Sequence, residues 1–253
     1  MTRYPTRIAR LAFLLALTPW LVRPLASHAT PWHGAAMLEP HTASLLVDYF
    51  ETFLRDKDIE AFHRSVTARY TEGTLGRLAR SEGVRARRAA ILALGLIGGF
   101  NSNETVARAL KDTDLTVRNL AQNALWAIWF RADSPENNAN LEQVRDLIGR
   151  ERFREALDLA SRLVAHAPGF AEAHNQRAIA LFFLERITES AEACRQTLNR
   201  NPYHIGALAG LGQCYLKLDR REDALATFRR ALKVQPFSEN LKQTVDMLEA
   251  EGR

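Results

Sequence analysis

The chain has 253 residues, 47% of them apolar, with 9 prolines, 13 glycines and a formal charge of +5, which argues for a folded rather than a disordered protein and allows a substantial core. The excess charge is concentrated at the start: residues 1 to 40 carry a surplus of +3, and residues 41 to 136 and 137 to 253 carry +1 each. A nearly neutral body offers no clustered cation surplus for phosphates, so nucleic acid is not the expected partner.

The first forty residues read as a leader outside the fold. Arg3, Arg7 and Arg10 precede an apolar run from Leu11 to Val22, and Ser27-His28-Ala29 has the small-residue form of a cleavage site. Pro19 and Trp20 interrupt the run and Arg23 ends it, short of the ~20 residues a membrane span needs. The leader has no cysteine to acylate, so no lipid anchor is expected. Cleavage after Ala29 would give an exported or periplasmic protein; a true start at Met37 would give a cytoplasmic one.

From Thr42 onward good helix formers dominate and no run of alternating β-branched residues occurs, so the expected class is all-α. Residues 41 to 131 begin with an amphipathic pair: Leu46, Tyr49, Phe50, Phe53 and Leu54 share one helical face, Ile59, Phe62 and Val66 another, and Asp58 can cap the second helix. Next, VRARRAAILALGLIG from Val84 and VRNLAQNALWAIWF from Val117 start 33 residues apart, the second preceded by LKDTD. This pattern resembles the HEAT repeat family. The resemblance implies that Asp112, Asp114 and Arg118 cap turns and bond between neighbouring repeats, and Ser81 and Glu82 depart from it where aspartates are expected. Trp126 and Trp129 lie near one face of an apolar helix, where packing is favoured over a base-stacking platform.

Arg131 to Asn140, with Asp133-Ser134-Pro135, is the expected junction, and residues 132 to 140 overlap the start of a second repeat type spanning 137 to 253. Pro168, Pro202 and Pro236 recur every 34 residues, each ending an amphipathic helix it cannot continue. The last unit carries Leu208, Leu211, Gly212, Tyr215, Ala224, Phe228 and Ala231 ahead of Pro236, in which small Gly212 and Ala224 permit close helix approach. These residues resemble the tetratricopeptide (TPR) signature, and two more degenerate units stand in register before them. A helix from Ser238 to Ala250 would close the stack. The expected architecture is therefore an all-α helical-repeat solenoid, HEAT-like hairpins followed by three TPR hairpins, wound as a right-handed superhelix.

No catalytic signature is present. The seven histidines form no metal-spaced pair, Cys194 and Cys214 have no CxxC spacing and read as buried packing, and no nucleophile elbow, phosphate loop or dinucleotide fingerprint occurs. No cofactor or metal is expected. The resemblance implies a non-enzymatic scaffold that holds a protein or peptide on its concave face, where the first helix of each hairpin selects Arg145, Asn175, Ile179, Phe182, Gln213 and Lys217. The carboxylate clamp that some TPR proteins use for chaperone tails is not expected: the corresponding positions are Leu141, Arg145, Gln176, Gly206 and Gly210, with one cation among them. The alternatives are an enzyme on HEAT-like repeats, similar to bilin lyases, and a nucleic-acid-binding helical repeat.

Overall fold

The computed structural model describes residues 45–250. The expected leader, its cleavage site and the alternative start lie outside the described residues. Within them the chain forms thirteen α-helices and no strand, in an all-α helical-repeat arrangement.

Helices α1 (Leu45–Asp56) and α2 (Ile59–Thr67) pair through Phe50, Phe53 and Phe62, whose ring centroids lie 5.7 to 6.5 Å apart. Asp58 caps α2 by accepting the Ala61 N–H at 2.9 Å. Two hairpins follow, each made of a short first helix and a long second one: α3 (Glu72–Leu78) with α4 (Val84–Ile97), and α5 (Asn103–Arg108) with α6 (Leu115–Phe130). One-turn 3₁₀ segments at Phe100–Ser102 and Ala109–Lys111 flank α5. Helices α4 and α6 lie side by side; a Cβ at Gly95 would stand 3.0 Å from the Ala124 Cβ, so only glycine fits without displacing its neighbour.

The register between these hairpins differs from the 33-residue spacing of the Val-Arg pairs. Arg118 donates to the carbonyls of Asp112 and Thr113, six and five residues before it, and Arg87 donates in the same way to Ser81 and Glu82. Arg87 is thus the counterpart of Arg118, giving a 31-residue period with Ser81 opposite Asp112. Arg118 serves its own turn. The bonds between hairpins come from the other pair: Arg87 to Asp112 (2.7 and 3.0 Å) and Arg88 to Asp114 (2.9 and 2.6 Å), both bidentate. Asp114 also caps α6 through the Val117 N–H, and the Arg88 guanidinium holds its carboxyl below 3.8, at about 2.

The second half is more regular. Helices α7 (Pro135–Gly149) and α8 (Phe153–His166), α9 (Ala171–Phe183) and α10 (Ile187–Arg200), and α11 (Ile205–Lys217) and α12 (Arg221–Val234) form three hairpins, followed by α13 (Glu239–Ala250). Ser134 caps α7 with Pro135 in its first turn. Within each hairpin the same turn recurs every 34 residues. Glu151, Glu185 and Asp219 adopt φ of 58°, and the following arginine N–H reaches back five positions, Arg152 to Leu147, Arg186 to Leu181 and Arg220 to Tyr215, at 2.8 to 2.9 Å. Those arginines then pair with Glu155, Glu189 and Asp223 at the start of the next helix. Between hairpins, the residues before Pro168, Pro202 and Pro236 leave the helical region, with φ of −122°, −138° and −123° and ψ of 71°, 91° and 74°, which ends α8, α10 and α12. Glycine is needed at 212, where a Cβ would lie 2.5 to 2.8 Å from the Phe228 ring. A continuous core from Val144 to Leu248 joins the three hairpins to α13. Cys194 and Cys214 are free and buried in it, the Cys214 thiol 3.3 Å from the Ser190 hydroxyl.

Candidate functional site

The site begins where the two halves meet. The C-terminal end of α6 presses against the first helices of the later hairpins, and a chain of buried polar contacts ties them together. Trp129, 1% exposed, donates its indole N–H to Asn103 Oδ1 at 2.7 Å, and the Asn103 amide donates to Asn201 Oδ1 at 2.9 Å. The Trp129 ring stacks on the His204 imidazole, 4.2 Å between centroids and 20° from parallel. His204 accepts the Ala207 N–H on Nδ1, capping α11, and its Nε2 meets Glu172 Oε2 at 2.7 Å. Glu172, itself 1% exposed, also accepts from Asn175 (2.9 Å) and Gln176 (2.6 Å). Three side chains converge on that buried carboxyl group, so neither of its oxygens is left without a partner. Trp126 completes the contact: its ring lies edge-on to His204 and stacks on Phe130, and a Cβ at Gly206 would sit 2.9 Å from it.

This packing changes the expected binding surface. Asn175, Ile179 and Phe182 are 2%, 1% and 5% exposed and are not open to a partner. Asn175 is engaged by Glu172, Ile179 belongs to the core between hairpins, and Phe182 lies beneath Lys217, whose ammonium is 5.1 Å from its ring centre. Lys217 spans to Glu185 at 2.7 to 2.8 Å. Arg145 is half-buried, its guanidinium 3.8 Å over the Phe130 ring, and burial lowers its pKa from the ordinary value. Of the six expected residues, Gln213 alone lines the groove described next.

That groove, of about 720 Å³, runs between α6 on one side and α11, the Gln235–Ser238 turn and α13 on the other. Leu115, Phe237 and Met247, all on it, are 60%, 48% and 40% exposed, which places half of the large exposed apolar side chains among the described residues on one surface. Trp126, Ile205 and Leu241 line it, with amide side chains from both walls. Its one charged lining residue is Arg118, whose guanidinium lies 4.2 Å over the Phe237 ring and which makes no ion pair among the described residues. The sequence signal for this surface was Asn119 and Gln122 on α6 and Asn240 and Gln243 on α13, each an amide pair at i, i+3; spacing alone did not bring the two pairs together. Among the described residues no cluster of histidine, cysteine or carboxylate side chains could hold a metal ion, and no helix is long and apolar enough to cross a membrane.

The fold defines a helical-repeat protein, and comparison with known proteins narrows the class for its second half. Residues 139–248 match the family described as "Psidin, N-terminal TPR repeats region". A TPR repeat-containing protein of Rhizobium etli is 27% identical over 120 residues, which cover 47% of this chain and 59% of that protein; the chain thus spans about three fifths of the length of the curated relative it matches. Among solved structures, the Sgt2 TPR domain from Aspergillus fumigatus is 17% identical, covering 47% of this chain and 80% of that one, with a TM-score of 0.44. The yeast Sti1 TPR2AB domain, solved as a complex with pHSP90, is 19% identical, covering 80% and 88%, with a TM-score of 0.41. A thermophilic TPR protein of Thermus thermophilus is 20% identical, covering 81% and 96%, with a TM-score of 0.37. The family match and the Rhizobium relative support the TPR family for this part of the chain.

Proposed function

We propose that this protein is a non-enzymatic scaffold that holds a polypeptide partner in the groove between α6 and α11 to α13. The observation that carries the reading is the clustering of exposed Leu115, Phe237 and Met247 along one cleft between the two repeat blocks. Repeat hairpins share their apolar faces with neighbours and leave a curved wall as their distinctive surface, the feature such proteins use for recognition. The single cation on the wall, Arg118, gives no phosphate-binding stripe and speaks against a nucleic-acid role.

The first half, residues 41 to 131, is read as a helical cap with HEAT-like hairpins, supported by the paired Arg87–Asp112 and Arg88–Asp114 bonds, and residues 137 to 253 as the TPR block. In this arrangement Gln213 is a partner-contacting residue, Arg145 borders the buried contact between blocks over Phe130, and Lys217 lies over Phe182 beside Glu185.

The test is affinity capture on the full chain beside Phe237→Glu and Met247→Glu variants. Both side chains are exposed, so stability should change by less than about 0.5 kcal/mol for Met247→Glu and by about 1 kcal/mol at most for Phe237→Glu, which also removes the Arg118 stack, while the captured partner is lost. Equal recovery by wild type and both variants would remove the groove from the binding role.

A further inference from the structure

The groove's chemistry specifies the form of its occupant. Six amide side chains surround the apolar floor: Asn119 and Gln122 from α6, Gln213 from α11, Gln235 from the turn, and Asn240 and Gln243 from α13. Gln235 donates to Gln122 at 3.3 Å, but among the described residues the side chains of Asn119, Gln213, Asn240 and Gln243 make no hydrogen bond. Each carries a donor and an acceptor. A bound helix would satisfy its own backbone groups and leave these amides idle, whereas an extended peptide presents unpaired N–H and C=O groups along its length, a match for amides on opposite walls. Side chains on alternate positions of such a peptide point to one face, so apolar residues two apart would reach Trp126 on the floor and the exposed Leu115, Phe237 and Met247 at the edges.

Charge selects further. Arg118 spends Nη1 on the carbonyls of Asp112 and Thr113 and stacks on Phe237, while its Nε and Nη2 make no hydrogen bond among the described residues. The groove has no carboxylate to balance it. A carboxylate of the ligand fits at that end and a lysine or arginine does not.

We propose that the groove binds an extended peptide with alternating apolar residues and one acidic side chain at Arg118, held through its main chain by the amide walls. The inference rests on the groove being the interaction surface, and its test separates the two.

Random peptides of about twelve residues displayed on phage are selected on the full chain and counter-selected on Ala209→Trp, which adds bulk to a half-buried groove position. Enriched sequences are synthesised and their Kd measured by fluorescence anisotropy. The expected peptides alternate apolar residues and contain Asp or Glu but few Lys or Arg. Affinity should fall at least about fivefold in Arg118→Ala, and at least about tenfold when two main-chain amides of the peptide are N-methylated. Double substitution of Asn119→Ala and Gln243→Ala should reproduce the methylation loss if Ala209→Trp proves unstable. Groove-dependent peptides that are basic, helical when bound or indifferent to N-methylation would overturn this inference and leave the scaffold reading standing. Peptides that bind wild type and Ala209→Trp alike would overturn both, and a library that yields no binder overturns this inference alone, because partner capture is read separately.

Discussion

The two halves of the molecule solve one problem, the stacking of helical hairpins, by different means. The second half repeats itself: the same left-handed turn at Glu151, Glu185 and Asp219, the same non-helical residue before each proline, and local pairs such as Arg152–Glu155 three positions apart. The first half is irregular, with short first helices and 3₁₀ segments, and is tied together by long-range bonds: Arg87 and Arg88 reach aspartates 25 and 26 residues away, and Arg131 donates to the carbonyls of Gly95 and Gly98. Exposed local pairs are worth little each, whereas bidentate and partly buried ones stabilise more. Stability in one half therefore comes from shape repeated in the backbone, and in the other from particular side chains.

The contact between halves offers the largest expected effect. Trp129→Ala removes a buried indole, its hydrogen bond to Asn103 and its stack on His204, at a cost of about 3 to 5 kcal/mol. If the halves are coupled through this residue, denaturant unfolding followed by circular dichroism should split into two transitions, with the loop between Phe130 and Pro135 newly open to protease. A single transition at the wild-type midpoint would mean that the blocks do not depend on each other. Next in size, Gly212→Ala forces the Phe228 ring away from a 2.5 Å approach and should cost about 1 to 3 kcal/mol, read as a lowered melting temperature of the C-terminal block. No loss would contradict the tight α11–α12 packing.

Acid should weaken the partly buried ties of the first half. Asp114 has its pKa held at about 2 against 3.8, chiefly by the Arg88 hydrogen bonds, and Asp112 is lowered in the same way by Arg87. A depressed carboxylate contributes stability that is complete above its unfolded pKa and is lost as pH falls through the folded value, so the contribution should fade between about pH 4 and pH 2. Arg88→Ala should remove about 1 to 2 kcal/mol at pH 7 and flatten the acid limb of a stability-against-pH curve. An unaltered acid limb would show that the pair is idle.

What could be read from the sequence follows the same division. The 34-residue prolines and the need for a small residue at Gly212 were legible because backbone geometry imposes them at fixed spacing; that Phe228 is the neighbour it admits came from the structure. The 33-residue Val-Arg spacing misplaced the first-half register, since the turn is defined by which arginine reaches back to its carbonyls, and Arg85 bonds Glu51 while Arg87 takes that part. The concave-face residues Asn175, Ile179 and Phe182 followed from a geometry that assumes an empty groove. Here Asn175 is taken up by Glu172, which bonds the His204 that Trp129 stacks on, while Ile179 lies in the core between hairpins and Phe182 beneath Lys217; nothing in the spacing of α9 signals these contacts. Gln213 escaped because it lies about two helical turns beyond Gly206, where Trp126 makes its contact.

The smallest effect is the one that tests the regular half most directly. Residues other than glycine resist a φ of 58° because Cβ crowds the neighbouring carbonyl, at about 1 kcal/mol per position. The exposed Glu151 side chain forms no ion pair or hydrogen bond among the described residues, so Glu151→Gly sacrifices no contact. Relief of crowding is offset in part by the greater freedom of glycine in the unfolded chain, leaving a gain below about 1 kcal/mol. The same change at Glu185 should gain less, because it also removes the carboxylate that Lys217 holds at 2.7 Å. Melting temperatures of the two variants side by side would distinguish the terms: a stabilised Glu151→Gly above Glu185→Gly follows from a shared left-handed turn with one added ion pair. Destabilisation at both sites would mean that the turn is held by those side chains instead of by the backbone bonds to Leu147 and Leu181.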